Sequence, residues 1–186
     1  MTQTHIILVR HGEAAASWSE HPDPGLSSIG KEQAKNISLD FTDEFSSYTL
    51  LSSPKSRAIE TMEPIALTQK RNFELDHNFI EIPSSGIASE EKQAWLKKVF
   101  EAPIEELPED VKAWRQNLID WLLSFKGHAI VTTHFMVINV LASFMVKRNT
   151  IAYFHPGYTS RTEIWLENGS LKKLMLGDDK KTVINL

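Results

Sequence analysis

The sequence predicts an α/β fold, three layers in the order α/β/α around a mainly parallel central sheet. Three observations predict it. Short apolar runs at His5–Val9, Tyr48–Leu51 and Ala129–Thr133 are continuous rather than alternating, as in strands buried on both faces. A helical pattern follows each run. No linker, repeat or low-complexity tract divides the 186 residues, 41% hydrophobic and 24% charged, so a single domain over residues 1–186 is expected.

The elements follow in order. After the first strand, Ile29, Ala34, Ile37 and Phe41 roughly share one face of a helix between Ser28 and Phe41. After the second, Ser53-Pro54 is expected to open a helix, with Ser as N-cap and Pro in the first turn, and Ile59, Met62 and Ile65 recur along it. A helix from about Pro108 to Lys126 carries Val111, Trp114, Leu118, Trp121, Leu122 and Phe125 on one side and stops at Gly127. His128 is expected to cap the third strand and face solvent. That strand leads into an apolar helix, Met136–Val146. Thr162–Glu167 and Ser170–Leu176 flank Asn168-Gly169, a type I′ hairpin signal. Residues 72–106 are broken by Pro83, Gly86 and Pro103 and hold only one helical pattern, "ASEEKQAWLKKVFEA". They are expected to form a lid-like insertion over the sheet edge.

Composition excludes several classes. No stretch approaches the ~20 apolar residues of a membrane span, and no signal-peptide pattern opens the chain. Cys is absent, which removes disulfides and thiol catalysis and fits a cytoplasmic protein. A net charge of −4 makes a nucleic-acid surface unexpected. His5, His21, His77 and His155 lack metal-ligand spacing, so neither a metal site nor a cofactor is expected.

The segment "ILVRHGEAAA" runs from a buried strand straight into charge. Arg10 and His11 follow the first strand, Ser53 and Arg57 the second, and His134 the third. Ligands of open parallel sheets bind beyond the carboxyl ends of the strands. Two arginines and two histidines therefore converge in expectation on one place, where helix N-termini add N–H groups. Forked guanidinium donors and a nucleophilic imidazole suit a phosphoryl group.

Arg10-His11-Gly12-Glu13 after a strand resembles the signature of the histidine phosphatase superfamily, also called phosphoglycerate mutase-like. "GLSSIGKEQA" (25–34) is similar to that family's Leu-Thr-x-x-Gly-x-x-Gln-Ala segment, with Ser27 for Thr. "LSSPKSRAIETMEPI" (51–65) is similar to its second-arginine segment, and "AIVTTHFMVINVL" (129–141) to its second-histidine segment. The resemblance spans nearly the whole chain and implies the phosphoglycerate mutase-like fold. It implies that His11 attacks phosphorus, and that Arg10, Arg57 and His134 hold the phosphoryl oxygens. "FIEIPSSG" (79–86) is the candidate for the family's acid segment and makes Glu81 the proton donor, although its glycine falls one residue late and Pro83 intervenes. Ser17 stands where many members have Asn, and Ser17 and Ser27 are candidate phosphate contacts. Asp23 and His21 of "HPDPG" could reach the pocket mouth with no assigned role. Phe135 and Met136 after His134 give the site an apolar wall.

Plain structural readings stand beside these: Arg10 in an ion pair with Glu13, Arg57 on an exposed helix face, Glu81 solvated in a loop, Ser27 as a helix cap. The leading function is hydrolysis of phosphate monoesters on a small phosphorylated metabolite or a phosphoprotein. A phosphoglycerate mutase, a protein phosphohistidine phosphatase and a non-catalytic phospho-ligand module are the alternatives.

Overall fold

A computed structural model describes residues 3–17 and 20–184. Its centre is one sheet in the order β3-β2-β4-β1-β5-β6. The strands are β1 (Gln3–Arg10), β2 (Thr49–Ser52), β3 (Glu74–Leu75), β4 (His128–Thr133), β5 (Arg161–Glu167) and β6 (Ser170–Met175). β1 to β4 run parallel, and β5 and β6 complete the sheet antiparallel. The helices are α1 (Ser28–Ser38), α2 (Ser56–Gln69), α3 (Lys92–Glu101), α4 (Glu109–Ser124) and α5 (Phe135–Met145).

The strand pleat sends successive side chains to opposite faces, and the two cores follow from it. Ile6 and Leu8 of β1, with Ala129 and Val131 of β4, pack against Leu96 and Val99 of α3, Val111, Leu118 and Leu122 of α4, and α5. Ile7 and Val9, with Leu50 and Ile130, pack against Met62, Ile65 and Ala66 of α2, with Ile37 of α1 and the loop residues Phe41 and Phe45. Each fully buried side chain of this size contributes about 1.5–3 kcal/mol. Both faces of β1 and β4 are covered, which is why these strands read as continuous apolar runs. α5 is buried from Phe135 to Ser143, so it too is apolar on every side. Among the described residues no helix is long and apolar enough to cross a membrane.

Asn168 and Gly169 both take positive φ, 52° and 77°, as a type I′ turn requires. Three expectations change. α2 starts at Ser56, not at Pro54, and its N-cap Lys55 makes no side-chain cap bond. The 72–106 stretch carries β3, a parallel edge strand that pairs with β2; at two exposed residues it is too short to leave a pattern. His128 is half-buried, its Nδ1 accepting from the His5 amide at 3.1 Å.

Candidate active site

β1 and β4 are paired with Arg10 opposite Thr133. The residues that follow, His11 and His134, therefore emerge side by side, with ring centroids 5.3 Å apart. β2 ends beside them, and in the first turn of α2 Arg57 points back at His11. Its Nε donates to His11 Nε2 at 3.2 Å. Arg10, His11, Arg57 and His134 are all essentially buried, at 0–1% exposure.

The hydrogen bonds fix the state of His11. A carbonyl can only accept, so His11 Nδ1–H donates to the Gly12 carbonyl at 2.7 Å. Nε2 then carries the lone pair, which Arg57 Nε–H meets. Burial first, then Arg57 and Arg10, holds the imidazole pKa well below its usual 6.5, so the ring is neutral near pH 7. His134 is held neutral in the same way, first by burial and then by Arg57 and His11. Its Nε2 bonds Ser53 Oγ at 2.7 Å, and its Nδ1 is buried with no partner among the described residues. Arg10 is pushed down to about 10, chiefly by burial, and still carries its charge at neutral pH. Its guanidinium lies 5.3 Å from the centroid of Phe135 and 4.4 Å from that of Tyr158, so the expected apolar wall is present.

Glu81 joins this group. It is 5% exposed and accepts from the amides of Ile82 (3.0 Å) and Met136 (3.1 Å). Burial raises its pKa to about 7, against the opposing pull of those amides, Arg57 and Arg10. At neutral pH a substantial fraction is therefore protonated, the state a proton donor needs.

The two candidate serines are hydrogen-bonded to other groups in this structure. Ser27 caps α1: its Oγ accepts from Gly30 N at 3.0 Å and donates to Glu13 Oε1 at 2.7 Å. Ser17 Oγ donates to Glu20 Oε2 at 3.0 Å. Both hydroxyls are thus bonded to neighbouring glutamates, and neither is seen among the four residues gathered around His11. Glu13, bonded to Ser27, is likewise not the ion partner of Arg10.

Several residues around the site take roles that the sequence did not assign. Asp23 supplies the cap that Lys55 does not: its carboxylate accepts from Ser56 N at 3.1 Å and Ser56 Oγ at 2.7 Å, and lies 4.0 Å from Arg57. Ser53, expected as an N-cap, supports His134 instead. Thr61 Oγ1 accepts from Gly12 N at 3.1 Å and donates to Arg57 O, tying the loop after β1 to α2. Gly12 and Gly30 meet backbone to backbone; a Cβ on Gly12 would sit 2.7 Å from Gly30 O, and one on Gly30 2.1 Å from Glu13 O. That contact explains the glycines in both segments.

The sequence from residue 6 to residue 179 matches the histidine phosphatase superfamily (branch 1). No curated protein matches the chain. Solved structures match it along almost its full length. A phosphoserine phosphatase from Entamoeba histolytica in complex with 3-phosphoglyceric acid is 21% identical, with a TM-score of 0.72 over 96% of this chain and 98% of that one. A mycobacterial glucosyl-3-phosphoglycerate phosphatase in complex with VO3 is 18% identical, with a TM-score of 0.68 over 95% and 99%. A phosphoglycerate mutase from Bacillus anthracis is 17% identical, with a TM-score of 0.67 over 94% and 92%. With its phosphoglycerate mutase-like α/β fold and a family match covering most of its length, the chain belongs to the histidine phosphatase superfamily.

Proposed function

We propose that this protein is a phosphatase that hydrolyses phosphate monoesters through a phosphohistidine on His11, acting on a small phosphorylated metabolite or a phosphoprotein. The observation that carries the reading is the tautomer of His11. Gly12 O accepts the Nδ1–H, so the Nε2 lone pair faces Arg57 in a site whose buried carboxyl has its pKa raised to about 7.

The chemistry follows from these groups. Nε2 attacks phosphorus as the ester P–O bond breaks, and the proton of Glu81 goes to the departing oxygen. Arg10, Arg57 and the Nδ1–H of His134 donate to the phosphoryl oxygens, where charge builds. Water then attacks the phosphohistidine and the P–N bond breaks. Glu81, now a carboxylate, takes the proton from that water and is restored. Buried Glu81 favours this reading over a phosphohistidine phosphatase, whose nitrogen leaving group needs less help. Segment 72–106 is a cover over the sheet edge in this account: it delivers Glu81 while Phe79, Ile82, Leu96 and Val99 anchor it in the core.

The test is turnover of p-nitrophenyl phosphate with rapid acid and alkali quenching of the labelled enzyme. A phosphoramidate on His11 survives alkali and is lost in acid. A label that survives acid, or one retained in His11→Ala, sinks the proposal.

A further inference from the structure

Beyond the catalytic groups, the segment after β6 reaches into the site. Residues 178–180 lie antiparallel against 155–157: Gly157 N donates to Asp178 O at 2.8 Å, Lys180 N to His155 O at 2.7 Å, and His155 N to Asp179 Oδ1 at 3.0 Å. The chain continues past Arg10. Thr182 Oγ1 accepts from Arg10 Nη1, Val183 O accepts from Nη2 at 2.6 Å, and Pro156 O accepts from Nη1 at 2.8 Å. The Tyr158 hydroxyl also donates to Val183 O, at 3.2 Å.

These acceptors have a directional consequence. A guanidinium has five N–H bonds. Three are taken by this strap and the loop it lies on, all at the Nη atoms. The Nε–H is buried and has no partner among the described residues. The Nε–H lies on the Nη2 side of the guanidinium, the edge from which a side-on fork can grip two oxygens of one phosphoryl group. Three fixed acceptors on one edge of a planar group set the direction of its other edge.

We propose that residues 178–183 are a positioning strap for Arg10, with Thr182 as its side-chain anchor, orienting the Nε edge toward the phosphoryl group. The proposal rests on the phosphatase reading above. Thr182 does not touch the substrate and acts only through Arg10.

The test compares Thr182→Val, which removes the acceptor at constant shape, with Thr182→Ser, which keeps it. Each is made in the wild type and in Arg10→Ala, with p-nitrophenyl phosphate turnover and orthovanadate binding measured side by side. Thr182→Val lowers kcat by about 3–30-fold, a fraction of the ~10²-fold expected for a lost transition-state donor, with a smaller change in KM. Thr182→Ser stays within about twofold of wild type, and in the Arg10→Ala background Thr182→Val has no further effect. Vanadate affinity falls in Thr182→Val in parallel. An unchanged Thr182→Val, an equal loss in the Arg10→Ala background, or a chain ended after Gly177 that turns over faster overturns the strap. A wild type that binds vanadate without turnover overturns the phosphatase reading instead, and vanadate affinity then decides the strap alone. One that does neither removes both.

Discussion

β1 and β4 carry a histidine pair at each end, and the two pairs have opposite surroundings. At the amino ends His5 stands opposite His128. His5 Nε2 bonds Glu163 at 2.8 Å, its Nδ1 bonds the Tyr48 hydroxyl at 2.7 Å, and its ring stacks on Trp165 at 4.2 Å. The His128 ring stacks on Tyr48 at 5.0 Å. At the carboxyl ends the neighbours of His11 and His134 are two arginines, and two buried nitrogens, His134 Nδ1 and Arg10 Nε, have no partner among the described residues. A carboxylate and a phenol close both nitrogens of His5. In the carboxyl-end cluster, one nitrogen of His134 and the Nε of Arg10 stay without such a partner. An unpartnered buried polar atom costs about 1–3 kcal/mol, a cost that a bound ligand's polar atoms would offset.

The largest effect that could break this contrast is at His11. His11→Ala should lower kcat by ~10⁴-fold or more, the scale of losing a covalent nucleophile, while thermal unfolding still shows a folded protein. Retained turnover would mean that the carboxyl-end pair is no more reactive than the amino-end pair.

Next is Glu81. Glu81→Gln should slow hydrolysis of an alkyl phosphate by ~10²–10⁴-fold and spare p-nitrophenyl phosphate, whose leaving group needs little protonation. The sign of the pH dependence follows from the raised pKa. The acid form is full below the ordinary carboxylate range and is lost as pH rises through about 7, so alkyl phosphate turnover should fall on that limb. The stability contribution has the same sign: it is present at low pH and lost on the way up through 7, where the buried carboxyl must ionise. Glu81→Gln should therefore flatten both the high-pH activity limb and the loss of stability between about pH 4.5 and 7. Equal rate losses on the two substrates would assign Glu81 a positioning role.

Arg57→Ala should lower kcat by ~10²–10³-fold, and Lys at this position should recover only part of it, because an ammonium cannot both fork and reach. Full recovery by Lys would reduce the cluster to point charge.

The smallest catalytic effect belongs to the other end of the strands. His5→Ala or Glu163→Gln should leave kcat within about twofold while removing about 1–3 kcal/mol of stability, since each strands a buried hydrogen-bond partner. Urea unfolding and p-nitrophenyl phosphate kinetics on the same samples decide it; a rate loss at constant stability would erase the distinction between the two ends.

The sequence by itself determined the layers and the core of the site. Parallel strands all end at one sheet edge, so residues that follow each strand are placed together by topology alone, and Arg10, His11 and His134 needed no more than that. Arg57 needed one helical turn in addition. The hairpin was equally legible, because positive φ at two successive residues selects Asn-Gly. Tertiary structure decided everything that depends on which of several local partners wins. Ser27 could cap or contact, and the α1 N-terminus three residues on took it. Ser53 was displaced as a cap by Asp23, which reaches Ser56 from thirty-three positions away in sequence, and turned to His134. Glu81 lies in a stretch without periodicity, and only the burial of Phe79 and Ile82 on either side fixes its carboxylate against Met136 N. The strap at 178–183 left no pattern at all, because its bonds to Arg10 include a backbone carbonyl, which every residue carries. Periodicity and strand ends are encoded locally, whereas the pairing of a buried donor with its acceptor is settled only when distant segments pack.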